Sequence, residues 1–449
     1  MELIIIIIIS IHICSSFYRL EYGLCSLLAI KILIPDVARS IIPALSLNAF
    51  CSLVLTIAVL WSLINGSIKK AEINNKMVKF CLLFYILNYF FFFFSSTTPL
   101  SFQIKPMHTF YLLQLMPIML GSIIINNKYK LILVFKVFSI CFFICAVYGI
   151  IAWVSGDYWY NNLFFVHYGA DFGRNTDMTT AAGAFMAGLQ GRIVGTASAD
   201  SYGYGMIVPI AFMIFFIFNN KLKWNITRIM VVLLAINVLM TIRRTPIITC
   251  IVFLLCMFWF EPLRVKVKYF KIGIIAFFVI AACIMFIPFL ENFRNIIEAS
   301  LFFWNDSVSA ENEVSGSSVS LREYQLFYTL DQIKGNILFG NGWGAMYYES
   351  HPTMFGWESV VFTTLMQFGV SGVLLWTYMF WFMYKYSTRK QKNKVYQKSF
   401  IIASVALCIF TDTIYPAYIF LGCLLMGKSY LLNDADQDVG SSVINKNNN

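Results

Sequence analysis

Hydrophobic residues run along this chain in blocks too long and too unbroken for surface strands or amphipathic surface helices. Apolar stretches of spanning or near-spanning length fall at residues 2–17, 20–34, 41–64, 77–94, 107–125, 131–153, 202–219, 225–242, 246–260, 271–289, 358–384, 398–413 and 416–430. A helix rises about 1.5 Å per residue and a bilayer's hydrocarbon core is about 30 Å thick, so roughly 20 apolar residues cross it. Several of these stretches are shorter. The first pair and the last pair each read as a hairpin or as one bent element, so the pattern predicts about 12 to 13 spans. The expected fold is all-α, a polytopic integral membrane bundle.

Between the apolar blocks the polar segments are short, with two exceptions at residues 154–201 and 290–357. The first is rich in Gly, Asp, Tyr and Thr. The second has a Ser/Glu/Asn run from Ser307 to Ser320 and then, from Leu321 to Ile333, an amphipathic stretch of helical period. The start of the chain, Met1-Glu2-Leu3 followed by isoleucines, lacks a basic leader and a small-residue cleavage site, so it is expected to remain as a helix. The pattern divides the chain into membrane helices over 1–153, a long loop over 154–201, helices with an arginine-bearing hairpin over 202–289, a second long loop over 290–357 and closing helices over 358–431. Residues 432–449 are expected to form a disordered tail.

Composition fits that reading. Of 449 residues 59% are hydrophobic and only 12% charged, whereas about a quarter of an ordinary soluble domain is charged. The mean hydropathy is +0.73. The formal net charge of +11 is distributed by side rather than clustered on a soluble module, which excludes a nucleic-acid partner and sets orientation. Placing each Lys and Arg on alternate sides of the bundle gives one side roughly 23 basic against 6 acidic residues and the other roughly 10 against 16. The basic side takes Arg19, the Lys69 to Lys79 cluster, Lys128, Lys130, Lys221, Lys223, Arg228, the Arg264 to Lys271 cluster and the Lys385 to Lys398 loop. That side is expected to be cytoplasmic, with the C-terminus on it, and both long loops lie on the opposite face. Within the apolar blocks the charges Lys31 and Lys136 lie near enough to helix ends to snorkel. All eleven cysteines lie in apolar segments, where a thiol behaves as a small buried hydrophobe. Cys141 and Cys145 have no nearby His or carboxylate, so no metal and no cofactor is expected.

Known catalytic signatures are missing. There is no Gly-x4-Gly-Lys-Ser/Thr loop, no Gly-x-Ser-x-Gly elbow and no His-Glu-x-x-His. What remains is a set of arginines on the outer face: Arg174, Arg192, Arg243, Arg244, Arg294 and Arg322. Arg243 and Arg244 sit between two apolar helices with almost no loop to hold them. Guanidinium forks match phosphate oxygens bidentately, so such a pair suits a lipid diphosphate headgroup; the alternative is a snorkelling pair that anchors the hairpin. Arg192 opens a small-residue run to Gly203 that suits either close approach of a ligand or tight helix packing. Arg322 and Glu323 are adjacent, so on a helix they point about 100° apart, and Arg322 is favoured as ligand-facing. Gly340, Gly342 and Gly344 lack the preceding strand and following helix of a dinucleotide loop and read as a flexible turn against a sugar or phosphate. Glu358 is a candidate general base, with complementation of the helix dipole as its alternative, and His351 is the reserve candidate.

In that order the residues resemble a known family. The Arg192 to Gly203 element, the Arg243–Arg244 hairpin, the Arg322 helix leading to Phe339 and Gly344, and the Glu358 to Gly372 segment before a two-span end are similar to the bacterial Wzy-type O-antigen polymerases, grouped with the O-antigen ligases. The resemblance covers about the C-terminal 60% of the chain. It implies a glycosyltransferase of the bacterial inner membrane that polymerises undecaprenyl-diphosphate-linked oligosaccharide repeat units on the outer face. By the same resemblance the product is O-antigen or capsular polysaccharide, neither nucleotide nor metal is needed, and a chain-length regulator is a possible partner. It casts Arg192, Arg243, Arg244 and Arg322 as diphosphate ligands, Glu358 as base and His351 as reserve. Ligase members often carry a histidine near the position of Glu358, which tilts the reading toward polymerase. An O-antigen ligase and a lipid-linked oligosaccharide flippase are the alternatives.

Overall fold

The computed structural model describes residues 1–42, 45–95, 97–168, 192–198, 201–222, 224–241, 243–263, 266–267, 319–348, 357, 359–391, 394–411 and 416–432. Among these residues helices dominate and no strand forms. Helix α1 (Glu2–Tyr18) is followed after one extended residue, Arg19, by α2 (Leu20–Leu33). Then come α3 (Leu47–Ile64), α4 (Lys76–Phe94), α5 (Leu100–Ile124), α6 (Lys128–Ser155) and α7 (Trp159–Tyr168). The series continues with α8 (Ser201–Leu222), α9 (Asn225–Met240), α10 (Arg244–Phe260) and α11 (Val319–Gln332). It closes with α12 (Val360–Ser387), α13 (Val395–Ile409) and α14 (Pro416–Lys428). The expected span at 271–289 and the expected disordered tail lie outside the described residues, save that Ser429–Leu432 adds a short helical turn.

Helices begin where the sequence offers a cap. Ser46, Asn75 and Asn127 each accept a backbone N–H from the first turn of α3, α4 and α6, at 3.3, 3.0 and 2.9 Å, which satisfies donors that a helix start leaves open. The two-helix start is a hairpin rather than a bent rod. His12 of α1 bonds Ser26 of α2 at 2.7 Å, and a Cβ on Gly23 would lie 2.7 Å from Ser16, so the helices touch backbone to backbone.

Burial separates the core from the periphery. Every residue of α14 from Pro416 to Gly427 is buried, and so is α8 from Gly203 to Phe218 except for Phe216. A helix buried all round lies at a bundle's centre. Small residues allow this: a Cβ on Gly422 would come within 2.7 Å of the Phe400 ring, and one on Gly427 within 2.6 Å of Tyr386. Around this centre, α8 packs on α9 and α10, α10 on α13, α2 on α1 and α6, and α12 on α13 and α14. The outer helices instead expose apolar stripes, such as Ile57, Leu60, Trp61 and Ile64 on α3 and Ile229, Val232, Ile236 and Leu239 on α9. Exposed apolar surface on this scale is a lipid-facing belt. Helices α3, α5, α6 and α12 are long and apolar enough to cross a membrane, and shorter apolar helices accompany them. The protein is a multi-pass membrane protein.

Two structural features depart from the sequence pattern. The apolar block at 358–384 reads as one span, yet α12 is broken at Gly369, whose φ of 59° and ψ of −157° are non-helical. Val370–Ser387 alone, 18 residues or roughly 27 Å of helix, matches a bilayer core. Lys31 does not snorkel. It is 9% exposed, its Nζ donates to the Leu113 carbonyl at 3.2 Å, and it lies 5.5 Å from the centre of the Tyr418 ring. Leu113 belongs to the π-helical turn Tyr111–Leu115 within α5. Lys136 is exposed as expected and sits over the Trp224 ring.

Candidate active site

One end of the bundle gathers the arginines. Segment 192–198 is stitched down at several points, beginning with Arg192 itself: Tyr158 donates its hydroxyl to the Arg192 carbonyl at 2.9 Å, and Ile193 N–H donates to the Met240 carbonyl at 3.0 Å. Asn161 then donates to the Gly195 and Ser198 carbonyls at 3.1 and 2.9 Å. The segment in turn helps close α2. Helix C-termini leave carbonyls open, and three successive ones here receive hydroxyls: Lys31 from Tyr418, Ile32 from Thr196 and Leu33 from Tyr160, at 2.9, 2.8 and 2.7 Å.

Held this way, Arg192 is 5% exposed and lies beside Arg243. Burial, and then the Arg243 charge, push its proton affinity down to about 10. It stays a cation at neutral pH, but an electrostatically strained one. Arg243 is the residue before α10 and Arg244 its first, so both charges stand at the positive end of a helix dipole. Cations are disfavoured there and anions are favoured, which makes this corner a place where negative charge is stabilising. Gly205 of α8 gives Arg243 its room, since a Cβ there would touch the Arg243 Cδ at 3.4 Å and the Pro246 ring at 3.3 Å.

The next residue carries the connection onward. Thr245 donates its hydroxyl to the Phe410 carbonyl at 3.0 Å, and the Arg322 guanidinium carbon sits 5.4 Å from the centre of the Phe410 ring. Interactions thus run from Arg192, electrostatically, to Arg243, and through its near neighbour Thr245 to Phe410 and Arg322. Four elements far apart in sequence meet at one end of the bundle. The Nε atoms of Arg192, Arg243, Arg244 and Arg322 are all enclosed. On α11 and just past its end the buried side chains Gln325, Thr329 and Ile333 follow Arg322 at helical spacing, while Glu323 and Tyr324 are exposed, as the preference for Arg322 over Glu323 requires.

The glycine run does different work from that expected. Each N–H from 340 to 345 is used inside the protein. Gly340 donates to Asn336 O at 2.8 Å, Asn341 to Met366 O at 2.9 Å, Gly342 to Gln367 O at 2.8 Å and Ala345 to Gly342 O at 3.1 Å. Trp343 donates to Gln103 Oε1 at 3.0 Å and Gly344 to Gln367 Oε1 at 2.8 Å. No backbone donor in this turn remains for a phosphate. The run is a plug for the break in α12, whose Val370 and Ser371 N–H groups donate back to Ile337 and Leu338 O at 3.0 and 3.1 Å. Gly340 is needed for contact as well as for its φ of +67°, since a Cβ there would lie 2.5 Å from the Gly369 nitrogen. Gly195 likewise serves packing, against Tyr204 and Cys145. The plug fixes the C-terminal end of α11, and Tyr328 near its middle packs on buried Trp357, with ring centres 6.3 Å apart.

Glu358, His351, Arg174 and Arg294 lie outside the described residues, although Trp357 and Ser359 on either side of Glu358 are described and buried. Sequence reasoning did not single out Thr245, Phe410, Gln103 or Tyr158. None of them carried a signal: Gln103 lies in the mixed stretch Ser95 to Pro106 between two apolar blocks.

Residues 229–377 match the family model described as O-antigen ligase. The chain therefore carries a domain of the O-antigen ligase/polymerase superfamily. The O-antigen ligase domain covers about a third of the chain and contains Arg243, Arg244, Arg322, the glycine plug and the break in α12, while Arg192 lies before it. No curated protein matches the sequence.

Proposed function

We propose that this protein is a polymerase of lipid-linked oligosaccharide repeat units in the bacterial inner membrane, acting on its outer face. A growing glycan is transferred from undecaprenyl diphosphate to a hydroxyl of the non-reducing sugar on a second undecaprenyl-diphosphate-linked repeat unit. The bond from the anomeric carbon to the diphosphate oxygen breaks and a bond to the acceptor oxygen forms. The acceptor proton passes to Glu358, with His351 in reserve, and the lipid diphosphate leaves carrying the bonding electron pair.

The observation that carries this reading is the meeting of Arg192, Arg243 and Arg322 at one end of the bundle. Negative charge on the leaving diphosphate grows as its bond to carbon breaks, so fixed guanidiniums bind the transition state more tightly than the ground state. The repulsion that Arg243 exerts on Arg192 is offset by such a charge. A flippase would instead place its working charges along a path through the bilayer midplane. The ligase reading is kept as second because the matching domain is described as O-antigen ligase.

Surface glycan from a deletion strain tests the proposal. Loss of a polymerase leaves single repeat units on the surface, loss of a ligase leaves long polymer on the lipid carrier, and loss of a flippase leaves no surface glycan. Polymer accumulating on the carrier would replace the first reading with the second.

A further inference from the structure

The opposite end of the bundle holds a second polar site that the proposed reaction does not use. A cavity of about 330 Å³ opens between the α1–α2 corner, the C-terminal end of α3 and the α5–α6 corner. That volume falls in the range of small-molecule sites, about 300–1,000 Å³. Its walls carry both signs of charge: Arg19 and Lys130, and Glu21 and Glu72. Pairing across the cavity is loose rather than tight. Lys130 Nζ and Glu21 form an ion pair at 3.8 Å, longer than the ~2.7–2.9 Å of a charge-assisted hydrogen bond, so each retains capacity for a ligand. Glu72 accepts from Asn126 Nδ2 at 2.5 Å and from the Lys69 N–H at 3.3 Å, and a carboxylate has about four lone-pair sites. The Arg19 guanidinium is held over the Tyr18 and Tyr22 rings, at 5.8 and 5.9 Å.

A ligand that satisfies both pairs carries a cation and an anion a few bonds apart. The rim shows where it comes from. Tyr18, Phe17 and Trp61 line the cavity and are 73, 50 and 56% exposed, the placement of amphipathic aromatics at a membrane–water interface. Below Trp61 lie the exposed Ile57 and Leu60 on α3, a surface for acyl chains.

We propose that this cavity binds the headgroup of a zwitterionic phospholipid with a primary ammonium, such as phosphatidylethanolamine. The phosphate lies toward Arg19 and Lys130 and the ammonium toward Glu21 and Glu72. A primary ammonium donates up to three hydrogen bonds, whereas a quaternary choline donates none, so the carboxylates select between two lipids of equal net charge. An anionic phosphatidylglycerol headgroup meets the cations but leaves the carboxylates facing a hydroxyl.

The test uses the full-length protein, delipidated in detergent and titrated with phosphatidylethanolamine, phosphatidylcholine, phosphatidylglycerol or water-soluble phosphoethanolamine. Thermal unfolding and lipid retention in native mass spectrometry are read together. Phosphatidylethanolamine is expected to raise Tm and to be retained over the other three. Glu21→Gln combined with Glu72→Gln is expected to weaken that retention roughly tenfold. Glutamine still accepts the Lys69 N–H at the start of the short helix Lys70–Ile73, and an unchanged Tm before lipid addition verifies folding. Equal retention of phosphatidylcholine, or retention unchanged in the double variant, overturns the ammonium assignment. Equal stabilisation by soluble phosphoethanolamine overturns the lipid as occupant.

Discussion

Gly369→Ala is the substitution with the largest effect that can be worked out from the backbone. At φ 59° and ψ −157° Gly369 occupies a region that is essentially glycine's alone, and forcing a side chain there costs about 1–3 kcal/mol. The added Cβ would also lie 2.3 Å from the Ile337 carbonyl oxygen and 2.7 Å from that of Leu338. No rotamer relieves that contact, because both partners are backbone. The plug must withdraw, and the hydrogen bonds from Val370 and Ser371 to those carbonyls are lost at about 0.5–1.5 kcal/mol each. The sum is about 2–6 kcal/mol. Gly66→Ala is the control: its φ is +71° but nothing lies within 4 Å of the new Cβ, so only conformational strain of about 1–2 kcal/mol remains. Thermal unfolding of the purified proteins should rank wild type, Gly66→Ala and Gly369→Ala in falling order. Because the plug anchors the end of α11 that follows Arg322, Gly369→Ala should also shorten surface polymer while Gly66→Ala leaves it long. A Gly369→Ala protein as stable as Gly66→Ala would refute the interlock.

Arg243→Lys keeps the charge but loses the planar fork, and should cut polymerisation by roughly ten- to hundredfold at matched expression; wild-type chain lengths would remove Arg243 from the site. Glu358→Gln should abolish turnover while lipid-linked substrate still binds, and retained turnover would move the base to His351. Gln103→Ala strips a buried amide that accepts from Trp343 N–H and donates to Thr98 O and Ser95 Oγ, leaving backbone groups unsatisfied at about 1–3 kcal/mol each; a matching drop in Tm checks it. Arg192, with its proton affinity lowered to about 10, should keep its charge up to about pH 9. Because its folded pKa is depressed, burying the charge costs stability below pH 10, and that cost is relieved as pH rises through it. Binding of a polyprenyl diphosphate should therefore weaken above pH 10 while stability does not fall on this account. Arg243→Gln, which removes the neighbouring charge, should move the onset of weakening upward.

Most of the bundle was legible because membrane helices announce themselves by composition alone. The expected stretches at 2–17 and 131–153 match α1 and α6 within a few residues, and the amphipathic stretch from Leu321 to Ile333 matches α11. Hydropathy fails where a helix breaks without changing composition. Gly369 sits in Gln367-Phe368-Gly369-Val370, as apolar as its surroundings, and only the docking of residues 337–344 shows that its backbone is bent. The same docking reverses the reading of Gly340, Gly342 and Gly344. A glycine-rich turn that cradles a phosphate and one that fills a helix break need the same positive φ, and a sequence does not say which acceptor the N–H groups find. Lys31 was misread for a related reason. Snorkelling follows from distance to a helix end, but the π-turn of α5 places the Leu113 carbonyl within 3.2 Å of its ammonium, and a π-turn leaves no hydropathy trace.

The arginines were legible as a type and not as a place. A guanidinium at the edge of an apolar block is costly and draws notice wherever it lies, so Arg192, Arg243, Arg244 and Arg322 stand out one at a time. Their meeting depends on uncharged residues that no charge pattern marks: Gly205, which admits Arg243 against α8, Thr245, which ties α10 to the end of α13, and Phe410, which receives Arg322. Two of the four elements lie in the matched domain, but Arg192 comes before it and Phe410 after it. Arg192 is fixed by Tyr158 and its neighbour Ile193 by the Met240 carbonyl, while the segment they open is fixed to α2 through Thr196. A fragment limited to residues 229–377 would thus keep three of the four arginines and lose both the strained one and the aromatic ring under Arg322. Such a fragment should bind a polyprenyl diphosphate far more weakly than the full chain even where its helices form.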